Sequence, residues 1–254
     1  LPFELDQKGP LFWYSTHRNM HMRTALFLFD RTGAMAAPFI KAGWRVVLID
    51  GQHPLGLNEV EPSLFKLGLW VDNYAGRKSF ATITELLDNV QFIFGFPECR
   101  DLAVSGAPHF ARKRLADPEF QYKAASNALL IPELGRYYSC PWAFENPVSV
   151  LSTLVGKPDF TFHPYEFGGY LPEDDAHPEY PEYIKPRDAY PKKTCIWAGN
   201  GFVQPLKRPV PVDPGYSLQH TKLGGKSLKT KNIRSATPRG YAVAVAKANM
   251  GGLA

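Results

Sequence analysis

The feature that most constrains this chain is a series of short apolar runs, each ending in a polar or acidic residue and each followed by a helix-length segment. Residues 25–29 end at Asp30, and residues 44–49 end at Asp50. Residues 67–71 end at Asp72, and residues 90–96 run into Pro97, Glu98 and Cys99. Hydrophobicity sustained over a whole strand marks burial on both faces, and such strands separated by helices build a parallel sheet. Residues 35–42, 80–88 and 110–130 read as intervening helices, the last broken at Asp117-Pro118, and Gly43 closes the first. Residues 137–144 lead into Glu145, Asn146 and Pro147 as a fifth strand, residues 194–199 form another, and residues 238–248 make a closing helix. The expected fold is α/β and Rossmann-like, with a mostly parallel central sheet. In such sheets ligands bind beyond the carboxyl ends of the strands.

Composition narrows the function classes. The chain has 254 residues, 44% hydrophobic and 21% charged, which excludes a disordered or collagen-like chain and suits one core. No apolar run reaches the ~18–20 residues of a bilayer span, and the N-terminus lacks the order of a signal peptide. A soluble, cytoplasmic protein is therefore expected, working as a monomer and not at a membrane. Cys99, Cys140 and Cys195 lie far apart with no CxxC spacing, so they read as thiols. His17 and His21 sit among Arg and Met and read as surface or packing residues; no metal site is expected.

The net charge is +5, and the basic residues cluster. Lys207, Arg208, Lys222, Lys226, Lys229, Lys231, Arg234 and Arg239 stand against one acid, Asp213, in the same stretch. That stretch is either a solvated loop or the contact for a polyanion such as a nucleic-acid backbone. Residues 157–192, rich in Pro, Tyr and acid, read as an irregular excursion, and residues 204–232 read as a loop-rich insertion.

Three constellations carry chemistry. Phe29, Asp30, Thr32 and Gly33 make a tight turn from a strand toward a helix, with Asp50 at the next strand end. Backbone N–H groups there can meet a ligand, and the acid can accept ribose hydroxyls. One glycine in place of three disfavours a nicotinamide dinucleotide. Cys99 follows a strand end, where a thiol is either a packing group or a nucleophile. Glu145 lies behind Trp142 and Phe144, surroundings that can raise a carboxyl pKa and make it a proton donor.

In this order and spacing, the pieces resemble the DNA cytosine carbon-5 methyltransferase family, in particular its compact bacteriophage-type members. Phe29 to Ala34 with Asp50 is similar to the S-adenosylmethionine motifs, and Asp72 to the acid near the adenine. Pro97-Glu98-Cys99 is similar to the Pro-Cys nucleophile motif, and Glu145-Asn146-Pro147 to the family's Glu-Asn-Val. Lys192 to Trp197 resembles the basic strand that follows, and Arg234 to Asn249 the closing segment. The resemblance covers residues 24–249. It implies a class I methyltransferase fold, with a catalytic cofactor-binding domain over residues 1–200, a short basic recognition region over 201–233, and a segment over 234–254 that packs back on the catalytic domain.

The resemblance also implies roles. Cys99 adds to carbon 6 of cytosine, Glu145 hydrogen-bonds ring nitrogen 3 and the exocyclic amine, and Lys193 is the catalytic cation. Phe29, Asp30, Thr32, Gly33, Asp50, Asp72 and Pro97 hold S-adenosylmethionine. Arg100, Ser105, Lys222, Lys226, Lys229, Lys231 and Arg234 contact DNA, whose target base is flipped out of a duplex. A phage-encoded protein of this kind works in the cytoplasm of a bacterial host.

The chain departs from the family pattern at named places. Glu98 stands where Pro is usual and Arg100 where Gln is usual; the carboxylate raises the pKa of a neighbouring thiol and the guanidinium lowers it. Lys193 and Thr194 stand where arginines are usual. Only residues 200–233 separate the Cys195 strand from the Arg234 segment, where larger relatives carry a target-recognition domain. Phosphate contacts carry no sequence information, so short or relaxed specificity is expected. A free cytosine nucleotide as substrate, a modified sulfonium as donor, and a catalytically inactive DNA-binding relative are the alternatives.

Overall fold

The computed structural model describes residues 22–251, except 75, 213, 214, 216, 225 and 226. Lys226, His17 and His21 lie outside the described residues. The strands are β1 (Thr24–Leu28), β2 (Arg45–Glu61), β3 (Leu64–Gly68), β4 (Val90–Gly95), β5 (Trp142–Pro147), β6 (Phe160–Phe162) and β7 (Thr194–Gly199). The α-helices among the described residues are α1 (Ala37–Lys41), α2 (Lys78–Leu86), α3 (Phe110–Ala116), α4 (Phe120–Tyr138), α5 (Leu151–Leu154), α6 (Leu218–Thr221), α7 (Leu228–Ser235) and α8 (Arg239–Asn249).

The strands form one sheet in the order β3-β2-β1-β4-β5-β7-β6. β1 runs parallel to both β2 and β4, so the winding reverses beside it, and β4 runs parallel to β5. Only β7 opposes its neighbours, β5 and β6. The fold is thus the α/β architecture with a mostly parallel sheet that the apolar runs imply. Its strands are apolar at successive positions because both faces are covered. Leu26, Leu28, Val47, Ile49, Ile93 and Phe144 enter one core with Ile83 of α2 and Ile131 of α4. Ala25, Phe27, Val46, Leu48, Phe92 and Phe94 enter the other, with Phe39 of α1 and Val245 of α8. Each large apolar side chain so buried contributes about 1.5–3 kcal/mol relative to exposure.

The third strand is shifted from its expected place. It ends at Gly68, so Asp72 falls past the strand end in irregular chain. The cause is tertiary. β2 first runs parallel to β3, with Val46 opposite Leu64 and Asp50 opposite Gly68, and the chain then returns along β3 with Leu57 opposite Leu67. At Gly68 a Cβ would lie 2.1 Å from the Pro54 carbonyl oxygen, so only glycine permits this approach.

Residues 157–192 are packed where an irregular excursion is expected. β6 pairs with β7, and Phe162 and Phe167 are fully buried. Phe162 stacks on Tyr241 of α8 at 4.0 Å between ring centroids, and Phe167 meets the same ring edge-on at 4.9 Å. The partner that orders these aromatics lies far along the chain. Residues 204–232 are loop-rich as expected, carrying α6 and the start of α7. No helix among the described residues is long and apolar enough to cross a membrane.

The excursion is pinned to α8 by two carboxylates. Arg239 donates two hydrogen bonds to Asp175 at 2.8 and 2.6 Å, and the Gly240 N–H donates to Asp188 at 2.8 Å. Burial pushes the Asp188 carboxyl up to about 6. A raised folded-state pKa stabilises the fold while the group is protonated, and this contribution is lost as pH rises through about 6. Asp188→Asn keeps an acceptor for Gly240 but cannot ionise. In thermal melts between about pH 4 and about pH 8, the wild-type protein should lose stability relative to this variant as pH rises.

Candidate active site

The carboxyl ends of β1, β4 and β5 open on a cleft of about 2310 Å³. At the end of β1 the chain turns sharply: Phe29 has a left-handed φ of 58° while its N–H still donates to the Ile49 carbonyl. Asp30 then folds back over the turn. Its Oδ1 accepts from the Thr32 N–H at 2.9 Å and the Gly33 N–H at 2.7 Å, and Gly33 takes φ +75°, which favours glycine. Asp30 is buried, and its Oδ2 has no partner. Burial pushes its carboxyl pKa up, opposed by the hydrogen bonds from Gly33 and Thr32. The His53 ring nitrogen Nε2 hydrogen-bonds the Asp30 carbonyl at 3.0 Å, tying the β2 return to the turn.

Asp50 is half-buried in the wall next to this turn and accepts from the Gln52 N–H at 2.8 Å. Trp70, 76% exposed, lies against Gly51 and presents its ring to the cleft. Asp72 does not line the cleft. Its carboxylate accepts from the Tyr74 N–H at 3.2 Å, because β3 has already ended at Gly68.

Cys99 is exposed on the loop after β4, facing the same cleft. Its carbonyl accepts from the Leu102 and Ala103 N–H groups, which fold the loop into a turn. The buried Asn146 amide donates to the Pro97 carbonyl at 3.0 Å and so ties this loop to the end of β5. Glu98 and Arg100, the two departures from the family pattern, pair with each other at 2.9 Å, both exposed. The Cys99 thiol pKa is raised, first by desolvation in the cleft, next by Glu145 and least by Glu98; the Lys192 ammonium opposes this.

Glu145 is half-buried in the cleft wall. Desolvation raises its carboxyl pKa, again against Lys192. Lys193 is the cation expected beside Cys99 and Glu145, but in the structure it is Lys192 that lines the cleft with them. β7 pairs antiparallel with β5, placing Ile196 opposite Glu145. Side chains alternate along a strand, so Thr194 and Lys192 share the face of Glu145, whereas Lys193 falls with Cys195 on the other. Lys192 accordingly lines the cleft and Lys193 does not; the Lys193 ammonium instead depresses the Cys195 thiol pKa, against the larger effect of burial.

Phe29, Asp30, Thr32, Gly33, Asp50, Pro97, Cys99, Arg100, Ser105, Glu145, Lys231 and Arg234 all line the cleft. Lys222 and Lys229 do not: Lys222 caps the short α6, and the Lys229 ammonium lies over the Tyr183 ring at 5.5 Å. Lys192, Trp70 and the basic pair Arg112 and Lys113 on α3 also line the cleft, with Asn146 buried behind it, and none of these was singled out from the sequence. Asn146 was within sight, since it stands in the Glu-Asn-Pro motif. No group of His, Cys, Asp and Glu among the described residues could hold a metal.

Comparison of the sequence with protein-family models finds no matching family, and comparison with curated proteins finds no relative.

The geometry assigns Lys192, and not Lys193, to the Cys99 thiol. Removing the ammonium in Lys192→Met should raise the Cys99 pKa and slow its alkylation by iodoacetamide near neutral pH by about threefold or more. Lys193→Met should leave that rate unchanged. Equal slowing in both variants would reject the assignment; Cys99→Ala identifies the labelled thiol.

Proposed function

We propose that this chain is a compact member of the DNA cytosine carbon-5 methyltransferase family, moving a methyl group from S-adenosylmethionine to carbon 5 of cytosine in DNA through a covalent adduct on Cys99. The observation that carries the reading is the meeting of one thiol and one half-buried carboxyl, Cys99 and Glu145, in a single cleft, with the Lys192 ammonium acting on both. The sheet order, reversing beside β1 and with β7 alone antiparallel, suits the class I methyltransferase fold.

S-adenosylmethionine, when bound, supplies an electrophilic methyl group on sulfur. The residues present fit it. The unpartnered Asp30 Oδ2 is an acceptor awaiting a donor or cation, Asp50 suits ribose hydroxyls, and the exposed Trp70 ring suits a flat base. Asp72 is dropped from this set.

Cys99 loses its proton and its sulfur adds to carbon 6 of cytosine. Lys192 stabilises the thiolate beforehand. Glu145, protonated, donates to ring nitrogen 3, where negative charge develops, and its other oxygen accepts from the exocyclic amine. Addition makes carbon 5 nucleophilic enough to take the methyl group, with the electron pair of the broken sulfur–methyl bond staying on the donor sulfur as a neutral thioether. Loss of the carbon-5 proton to a base, with expulsion of the sulfur, restores the aromatic ring and Cys99. Arg100, Arg112, Lys231 and Arg234 around the cleft suit the phosphates of DNA. Within residues 201–233 the described helices are α6 and the start of α7, which offers few side chains to base edges and suits short or relaxed specificity. Residues 1–200 would then be catalytic, and the enzyme would act as a monomer in the cytoplasm of a bacterial host.

Nucleoside mass spectrometry tests the reading directly. Unmodified DNA, and separately deoxycytidine monophosphate, is incubated with S-adenosylmethionine and either wild-type protein or Cys99→Ala. One added methyl on cytosine in DNA, absent with the variant, is expected. Methylation of the free nucleotide alone would replace DNA as substrate, and no modified base in either would reject the reading.

The rate should also depend on pH in a defined sense. The reactive form carries Cys99 as thiolate and Glu145 as acid, the reverse of their usual order of ionisation. kcat/KM should then rise with pH up to the elevated Glu145 pKa, stay level, and fall above the elevated Cys99 pKa. In Glu145→Gln, slower by about 10²-fold or more, the fall at high pH should become a plateau.

A further inference from the structure

A second pocket, of about 450 Å³, opens beside the first and shares Lys192 with it. Its wall includes Lys193, Ser217, Gln219 and His163, and none of its described lining residues is acidic. Lys192 spends one N–H on the Arg234 carbonyl at 2.8 Å and keeps its other donors. Gln219 is 5% exposed, and its Nε2 has no hydrogen-bond partner. A buried amide left unpaired costs about 1–3 kcal/mol, which an acceptor seated in the pocket would recover. Two ammonium groups, a hydroxyl and an orphaned amide donor around one concavity with no carboxylate in its described lining match a tetrahedral oxyanion.

We infer that the pocket behind Lys192 and Lys193 is a phosphate-binding site, which holds the phosphate attached to the nucleotide whose base enters the neighbouring cleft. That the pocket takes phosphate follows from its lining alone; that the phosphate belongs to a cytosine nucleotide rests on the proposed function. With Lys192 common to both pockets, the phosphate is held one side chain away from the Cys99 thiol.

The test titrates the full chain with inorganic phosphate against chloride at matched ionic strength, by calorimetry and by the shift in thermal midpoint. Phosphate should bind and raise the midpoint. Lys193→Met, at an exposed position, and Gln219→Leu should each weaken binding about tenfold. Lys222→Met, outside the pocket, should not. A short duplex carrying one neutral methylphosphonate linkage beside a single cytosine, and deoxycytidine monophosphate as competitor, separate the two sources of phosphate. If the site holds a DNA phosphodiester, the neutral linkage weakens the wild type and Lys193→Met is insensitive to it. If it holds a free nucleotide, the monophosphate displaces inorganic phosphate and the neutral linkage has no effect. Absence of phosphate binding, or binding unchanged in both pocket variants, overturns the inference. Variant-sensitive phosphate binding without any cytosine methylation overturns the functional reading and leaves the phosphate site standing.

Discussion

The site depends on the alignment of three parallel strand ends and on one buried hydrogen bond between their loops. Leu28 lies opposite Gly95, and Gly95 opposite Phe144, so the residues that follow each strand emerge along one edge. Backbone alignment alone leaves the loops free to diverge. The Asn146 amide, donating to the Pro97 carbonyl, prevents this, and Val104 and Val150 extend the stitching by bonding the Val148 and Leu102 carbonyls. A neutral buried hydrogen bond contributes only about 1 kcal/mol net, but an orphaned buried partner costs up to about 3 kcal/mol. The Cys99 loop is therefore held where Glu145 is by the penalty for separating them.

That proximity creates the electrostatic character of the site. Desolvation raises the cost of charging both groups and the Glu145 carboxylate raises it further for Cys99; Lys192 offsets part of this for both. Glu98 adds a smaller push in the same direction on Cys99, and its exposed pairing with Arg100 holds neither side chain strongly. The balance of one acid, one thiol and one ammonium is set by side chains from three separate stretches of chain.

Much of this was legible in the sequence. Apolar runs ending near Asp30 and Cys99 located the ends of β1 and β4, and the run ending at Asp50 located the end of the parallel part of β2, because burial on both faces leaves few polar positions inside such strands. What failed was information held in register. Whether Lys192 or Lys193 faces the cleft is a question of strand parity, decided only when β7 pairs with β5. Asp72 was misplaced because the end of β3 is imposed by the Pro54 carbonyl against Gly68, a contact no local pattern announces. The aromatics of residues 157–192 read as irregular because their partner, Tyr241, lies on the last helix.

The basic stretch shows the same separation between composition and structure. Lys207 pairs with Glu166 at 2.7 Å and Arg239 with Asp175, so two of its charges hold the fold together and are not free for a polyanion. Arg234 remains at the cleft, but its guanidinium donates to the Leu223 carbonyl and its own carbonyl accepts from Lys192. α7 is thus joined through one hydrogen bond to the ammonium that acts on Cys99. Leu228, Lys231 and Arg234 of α7 also line the cleft themselves, so this helix meets it both directly and through Lys192. Through that one side chain the helix that follows the short 200–233 connection is tied to the electrostatics of Cys99, a link between distant stretches that sequence separation does not suggest.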